Sequence, residues 1–193
     1  IWLIGDVQAM HGASRGGDDV LTGRSGSQGD VMNRMIGDAW QMTGKSRGGD
    51  DHLVGGESAA KNHLYGDAYQ MLGNSRGGDD VLNAGAYASN WLFGDASEMT
   101  GSSRGGDDEI HGAEGASNLL YGDAEKMSGS SRGGDDLLTG APDTEFNFLY
   151  GDAQRMSGSS RGGNDVLVGA GTESLLVGDA RFAMSPGVRG GND

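Results

Sequence analysis

The segment Arg-Gly-Gly-Asp-Asp, twice with Asn in place of the first Asp, recurs seven times along this chain of 193 residues. The copies are 28 to 32 residues apart and begin at Arg15, Arg47, Arg76, Arg104, Arg132, Arg161 and Arg189. A regular period of this length is typical of a solenoid, in which each repeat is one supersecondary unit stacked on the next. We therefore expect residues 1–193 to form one continuous array. The chain opens and stops within a motif, which predicts that it is a piece of a longer array.

Each repeat is predicted to contain three short strands. Between Asn62 and Gly85, three short apolar segments each end at Gly or Asp, residues that favour tight turns. The inward apolar residue of the first segment and the one after Gly-Gly-Asp-Asp are always 18 residues apart, as in Leu64 and Leu82, whereas the return to the next repeat takes 9 to 14 residues. Two corners are therefore fixed and a third accepts insertions. The predicted fold is an all-β, right-handed parallel β-solenoid (β-roll or β-helix) of about seven coils, each with three strands.

Stacking of the repeats would place equivalent residues in columns. One column consists of Met10, Met42, Met71, Met99, Met127, Met156 and Met184. Stacked thioethers could suit a soft metal, but Met more often fills an irregular core, and we adopt that interpretation. A second column consists of Ile4, Ile36, Tyr65, Phe93, Tyr121, Tyr150 and Val177. Strand alternation would point this column outward as an apolar stripe, and the alternative is a corner residue covered by a neighbouring loop.

Aspartate occupies three further columns, which hold 19 of the 21 Asp residues. Seven follow Gly in the Gly-Asp-Ala or Gly-Asp-Val corner: Asp6, Asp38, Asp67, Asp95, Asp123, Asp152 and Asp179. Seven end the Gly-Gly corner: Asp19, Asp51, Asp80, Asp108, Asp136, Asp165 and Asp193. Five precede those, namely Asp18, Asp50, Asp79, Asp107 and Asp135, and Asn164 and Asn192 complete that column. All 19 are candidate metal ligands.

A stack of carboxylates about 4.8 Å apart would repel along the whole axis, and a cation between coils would remove the repulsion. Calcium fits best because it takes about six to eight oxygen ligands in flexible geometry, while magnesium requires a stricter octahedron and zinc or copper prefers His or Cys. The chain has no Cys, and its four His residues share no column. About seven calcium ions, one per repeat, would cancel the net charge of −14. The alternative is that each Asp only forms a turn.

The Arg column that begins each motif is expected to pair with neighbouring Asp residues. The alternative is a ladder that captures an anionic polysaccharide. With 28 acidic against 14 basic residues, nucleic acid and an anionic membrane surface are poor partners. No apolar run is long enough for a membrane-spanning helix, and no signal peptide is visible.

These residues resemble the RTX, or haemolysin-type, calcium-binding repeats, whose nonapeptide Gly-Gly-x-Gly-x-Asp-x-apolar-x builds a parallel β-roll. Gly17-Asp18-Asp19-Val20-Leu21 fits the second half of that nonapeptide, and Leu120-Tyr121-Gly122-Asp123 is similar to a junction common between such repeats. The first two Gly are mostly Ser-Arg here, and the Met segment fits no nonapeptide. In the first strand the Asp position is Asn33, Asn62, Asn90, Asn118, Asn147 or Ser174, which predicts fewer metals per coil.

The resemblance implies a secreted, extracellular or cell-surface bacterial protein that is unfolded at low calcium and folds outside the cell. The leading hypothesis is a non-enzymatic calcium-dependent module: a spacer, an adhesin stalk or a matrix filament, with side-to-side or end-to-end self-association open. The alternatives are a polysaccharide-binding surface and an accessory module of a secreted enzyme. Ice binding is disfavoured because the Thr residues are scattered, and no arrangement of nucleophile and base predicts catalysis.

Overall fold

The fold is a β-solenoid with three parallel sheets, seen in a computed structural model that describes residues 1–26, 31–58, 60–182 and 186–193. The described residues contain twenty strands: β1 (Trp2–Ile4), β2 (Val7–Met10), β3 (Val20–Thr22), β4 (Met32–Ile36), β5 (Ala39–Met42), β6 (His52–Val54), β7 (Lys61–Tyr65), β8 (Ala68–Met71), β9 (Val81–Asn83), β10 (Ser89–Phe93), β11 (Ala96–Met99), β12 (Glu109–His111), β13 (Ser117–Tyr121), β14 (Ala124–Met127), β15 (Leu137–Thr139), β16 (Phe146–Tyr150), β17 (Ala153–Met156), β18 (Val166–Val168), β19 (Ser174–Val177) and β20 (Ala180–Phe182). No helix in this part of the chain is long and apolar enough to cross a bilayer.

Every third strand joins the same sheet. The first sheet has the order β1-β4-β7-β10-β13-β16-β19, the second β2-β5-β8-β11-β14-β17-β20, and the third β3-β6-β9-β12-β15-β18. All neighbouring strands are parallel, so the chain makes six complete coils and begins a seventh. The predicted all-β parallel solenoid with three strands per coil is confirmed.

The register places each residue beside its equivalent in the next coil. In the first sheet Leu64 is the partner of Leu92, and Asn62 is the partner of Asn90. Strand alternation turns both side chains inward, while His63 between them faces outward and is half-buried. The repeat period in the sequence therefore becomes a set of side-chain columns parallel to the solenoid axis.

Two apolar columns fill the interior of the tube. The Met column packs with the Ala residues three positions earlier, and its six described members, Met10 to Met156, are at most 3% exposed. This confirms the core interpretation for those six, while Met184 lies outside the described residues. The second interior column joins the first and third sheets and contains Met35, Leu53, Leu64, Leu82 and their equivalents up to Leu149.

The aromatic column does not form an exposed stripe. Ile36, Tyr65, Phe93, Tyr121 and Tyr150 are at most 5% exposed, and the ring centroids of the four aromatic residues stack 4.8 to 5.0 Å apart. Outward side chains of the first and second sheets pack over the column, namely Trp40, Tyr69, Trp91, Leu119 and Phe148. The prediction of an outward stripe was therefore wrong for these residues. The alternative interpretation, a covered corner residue, is closer to the structure, although strand residues and not a loop cover the column.

A ladder of asparagines closes the variable corner. Asn33, Asn62, Asn90, Asn118 and Asn147 are at most 1% exposed, and each amide donates through Nδ2 to Oδ1 of the next, over 2.8 to 3.0 Å. Asn90 also donates to the Gly85 carbonyl and accepts from the Gly85 N–H. An amide can donate and accept at once, so this column satisfies its own polar atoms without a ligand.

We expect Asn90→Asp to lower the free energy of unfolding at neutral pH by about 3 kcal/mol, because the carboxylate loses both Nδ2 donors and buries a charge. The same change at Asn74, which is exposed, is the control and should alter stability by less than about 0.5 kcal/mol. Urea denaturation of the three proteins measures both effects. Equal losses for the two variants would contradict the ladder.

Candidate metal centre

Two of the three Asp columns lie inside the tube. The corner column, Asp6 to Asp179 of the Gly-Asp corners, follows the first-sheet strands, and the strand column, Asp19 to Asp193, precedes the third-sheet strands. Their inner members are at most 2% exposed: Asp38, Asp51, Asp67, Asp80, Asp95, Asp108, Asp123, Asp136, Asp152 and Asp165. The terminal members of both columns are partly or fully exposed, because they lack a neighbouring coil on one side.

Backbone donors hold one oxygen of each inner carboxylate. In the corner column, the Gly78 N–H donates to Asp67 Oδ1 over 2.9 Å, across the interior of the same coil. In the strand column, the Asp80 N–H donates to Asp108 Oδ1 over 2.7 Å, from one coil to the next. The fold therefore brings together two carboxylates that are 13 residues apart in the sequence.

The second oxygen has no donor in every inner carboxylate except that of Asp38, whose Oδ2 also accepts the Gly49 N–H. Oδ2 of Asp67, Asp95, Asp123 and Asp152 in the corner column is buried without a hydrogen-bond partner. The same holds in the strand column for Oδ2 of Asp19, Asp51, Asp80, Asp108, Asp136 and Asp165. Buried carboxylate oxygens are otherwise paired or bound to metals, because desolvation of an unpaired charge is costly. Each of these atoms can be satisfied by a proton on the carboxyl group or by a cation.

Glycines make room for the unpaired oxygens. A Cβ added to Gly66 would lie 1.9 Å from Asp80 Oδ2 and 1.8 Å from the Gly94 carbonyl oxygen. A Cβ added to Gly77 would lie 2.3 Å from Asp67 Oδ2 and 2.0 Å from Asp95 Oδ1. Both glycines are therefore needed because of the close approach of oxygen atoms, and each marks a place where two oxygens from different residues converge.

Burial raises the pKa of the inner carboxyls, and the like charge of neighbouring Asp residues adds to the effect. The pKa of Asp95 rises to about 6, that of Asp51 and Asp165 to about 7, and that of Asp38 and Asp152 to about 8. At the centre of the array, desolvation and the facing Asp80 carboxylate hold the pKa of Asp67 well above its usual range. Without cations, the folded state therefore retains protons that the unfolded chain would release.

The third Asp column lies outside the tube. Asp18, Asp50, Asp79, Asp107 and Asp135, which we call the outer row, are exposed, as are Asn164 and Asn192 at its end. Each outer carboxylate accepts a backbone N–H from the next coil through Oδ1, for example from Asp107 to Asp79 over 2.9 Å. The structure does not bring this row to the buried oxygens.

The Arg column is also exposed and forms no ion pair with these aspartates. In the described part of the chain, the only pair within 4.0 Å joins His111 and Glu109. The expected pairing of Arg with Asp was therefore wrong. In the first four motifs, from Arg15 to Asp107, the Arg and outer-row Asp residues instead line a surface groove of about 590 Å³ together with the motif glycines.

Acidic side chains alone do not form a metal cage here. Among the described residues, no three or more His, Cys, Asp or Glu side chains converge closely enough to hold an ion. A cation at the inner columns would therefore combine two carboxylates with backbone oxygens such as that of Gly94, which is a donor set suited to calcium. The sequence indicated the two columns and predicted that carbonyls at the Gly corners would add ligands; the structure adds which carbonyl lies near which carboxylate, as Gly94 and Asp80 do beside Gly66.

The chain matches no protein-family model, and comparisons with curated proteins and with solved structures found no similar protein.

We expect the folded state without cations to be most stable in mild acid. Because the folded pKa values are raised above the ordinary value of 3.8, this contribution to stability is full below about pH 4 and is lost as the pH rises through about 6 to 8. Urea denaturation in the presence of a chelator should give a larger free energy of unfolding at about pH 5 than at about pH 8. A stability that increases over this range would contradict the burial of unpaired carboxylates.

Proposed function

We propose that this chain is a calcium-binding structural module, similar to RTX repeats, that folds when calcium neutralises its two inner Asp columns. The observation that carries the proposal is the double row of buried Oδ2 atoms without donors. The neighbouring Asn ladder has equal burial and the same spacing, yet every amide there is satisfied. The difference between the two kinds of column is the ionic charge, so the missing partner is positive.

Calcium suits these columns better than other cations. All candidate donors are oxygens, from carboxylates and from glycine carbonyls, and calcium accepts such oxygens in less strict geometry than magnesium does. Protons are the competing partner, because the raised pKa values allow partial protonation at neutral pH. Protons and calcium would therefore compete for the same oxygens, and calcium would prevail as the pH rises.

Calcium binding and folding would be one event. The columns exist only when successive coils are stacked, so the unfolded chain lacks the site, and an ion that binds only the folded state stabilises it by mass action. In low calcium, repulsion between the inner carboxylates opposes folding. These properties support an export-coupled role in a secreted or cell-surface bacterial protein, where the folded rod serves as a spacer, an adhesin stalk or a matrix filament.

The regular repetition supports a non-enzymatic role. Each coil presents nearly the same side chains at the same positions, as expected for a rod and not for a single catalytic centre. A module of this kind can also serve as an accessory part of a secreted enzyme.

A polysaccharide-binding surface is the second candidate, and one observation favours it. The outward face of the first sheet has a groove of about 320 Å³ between Trp91, Leu119 and Phe148, bordered by the Ser89 and Ser117 residues. Apolar rings beside hydroxyls can stack on a sugar and hydrogen-bond to it. Loss of retention on a polysaccharide column after Trp91→Ala, with folding unchanged, would support this candidate, and no retention of the parent chain would remove it.

We expect Asp80→Asn to have opposite effects with and without calcium. In chelator the variant should be more stable than the parent, because a buried charge is removed, whereas the calcium concentration at the folding midpoint should rise about tenfold or more. Far-ultraviolet circular dichroism during a calcium titration measures both quantities.

The matched control is Asp79→Asn, which removes the same charge from the adjacent exposed residue. The array itself has Asn at the equivalent position 164, where Oδ1 still accepts the N–H of Asn192. This variant should change neither quantity by more than about twofold. If the parent chain has the same dichroism spectrum with and without chelator, the calcium proposal fails.

A further inference from the structure

Two charged rows run side by side along the outside of the solenoid. The Arg column, called the Arg row from here on, and the outer row are both exposed and have one residue each per coil, and in the first four coils they border the same groove. The two rows have opposite charge along most of the array, where five Asp residues face the Arg row before Asn164 and Asn192 end the outer row.

Both rows are held at the spacing of the coils. The backbone of each Arg is fixed by parallel bridges: the Arg76 N–H donates to the Ser46 carbonyl over 3.0 Å, and the Gly77 N–H donates to the Arg104 carbonyl over 2.9 Å. On the other side of the groove, Oδ1 of Asp79 accepts the Asp107 N–H, while the rest of this exposed carboxylate faces solvent. The backbone of both rows is therefore pre-organised at the coil spacing, and the exposed Arg side chains lose rotamer freedom when they pair.

We propose that this face binds a second copy of the same chain, with the two solenoids side by side and parallel. The rows are self-complementary under a two-fold axis parallel to the solenoid axis. That rotation places the Arg row of each copy against the outer Asp row of the other. A two-fold axis across the solenoid would instead place Arg against Arg and Asp against Asp, so charge selects the parallel arrangement.

The coil spacing keeps the pairing in register. Both copies have the same rise per coil, so an Arg that meets an Asp in one coil does so in the next. Since the Arg row forms no ion pair within its own chain in the described residues, its charges are free to pair with a partner.

The pairing rests on the proposed function. The inner columns hold 14 of the 28 acidic residues, so their neutralisation by calcium leaves 14 acidic side chains against 14 basic ones. The net repulsion between copies is then removed, and the local attraction between rows decides the outcome. Without calcium, the charge of −14 opposes any association.

An anionic polysaccharide fits this face less well. A polyanion that follows the Arg row would also lie beside the outer Asp row, which shares the groove and would repel it. A second copy satisfies both rows at once.

The test is sedimentation of the calcium-saturated chain, with dichroism first confirming that calcium has folded it. We expect dimers at low salt and monomers at about 1 M salt, where the Debye length falls to about 3 Å. Arg76→Glu with Arg104→Glu should weaken association about 100-fold, since two coils then place like charges in contact on both sides. Lys126→Glu with Arg155→Glu makes the same charge change on the exposed face of the second sheet and should leave dimers intact.

A complementary variant makes the test specific. Asp79→Lys with Asp107→Lys should also remain monomeric, and an equal mixture of the two reversed variants should form dimers again, because opposite charges then meet in both mutated coils. Should the Lys variant fail to fold, Asp79→Asn with Asp107→Asn keeps the Oδ1 acceptors and should weaken association without misfolding.

Spin labels distinguish the two orientations. The chain has no Cys, so Lys45→Cys and Ser159→Cys, both at exposed corners four coils apart, give single labelling sites. Parallel copies should give equal distances for the two same-site pairs and a longer distance for the mixed pair. An antiparallel pattern would overturn the proposal.

The remaining outcomes are also decisive. If calcium folds the chain but it stays monomeric at low salt, the pairing is wrong and the calcium proposal stands. If calcium does not fold it, the proposed function fails first. Association that appears only after a sulfated polysaccharide is added would replace the second copy with an anionic ligand.

Discussion

The parallel coil-on-coil register is the constraint on which the rest of this structure depends. It places each side chain about 4.8 Å from its counterpart in the next coil. Each column is therefore stable only if side chains of the same type interact favourably with each other. Leu64 and Leu92 gain contact, the rings of Tyr65 and Phe93 stack, and Asn62 and Asn90 exchange hydrogen bonds. Among the buried columns, ionised Asp alone cannot hydrogen-bond to its own kind through its side chain, because a carboxylate accepts hydrogen bonds and cannot donate them.

Because of the inner columns, the stability of the fold therefore depends on the protons and cations of the solvent. Their carboxylates are as buried as the Asn ladder, and one oxygen of each is held by the backbone, but the other oxygen depends on a proton or a cation. A chain of this design has a folded state whose stability depends on its surroundings. Under the proposed function, calcium would be the cation on which that stability depends.

The same register also organises the surface. The Arg and outer Asp residues would be scattered charges in most folds, but here they become two straight rows beside one groove. On the outward face of the first sheet, Trp91, Leu119 and Phe148 likewise form a short apolar row. In a solenoid, one repeated side chain thus becomes a straight row along the axis. Such a row suits contacts with other extended molecules.

The sequence by itself determined the period, the three strands per coil and the columns that would stack. The reason is that the spacing of residues can be read from the sequence, and parallel stacking places residues with that spacing directly above one another. The Met core and the grouping of the two Asp columns followed from that spacing. The tertiary structure alone decided which columns are covered. Tyr65 is buried by Trp40 and Tyr69 from neighbouring strands. In the described residues, the Arg row forms no ion pair with its expected Asp partners, and Asn62 bonds to both a corner and the next coil. Burial and pairing depend on what lies across a corner, and the order of residues along one strand does not contain that information.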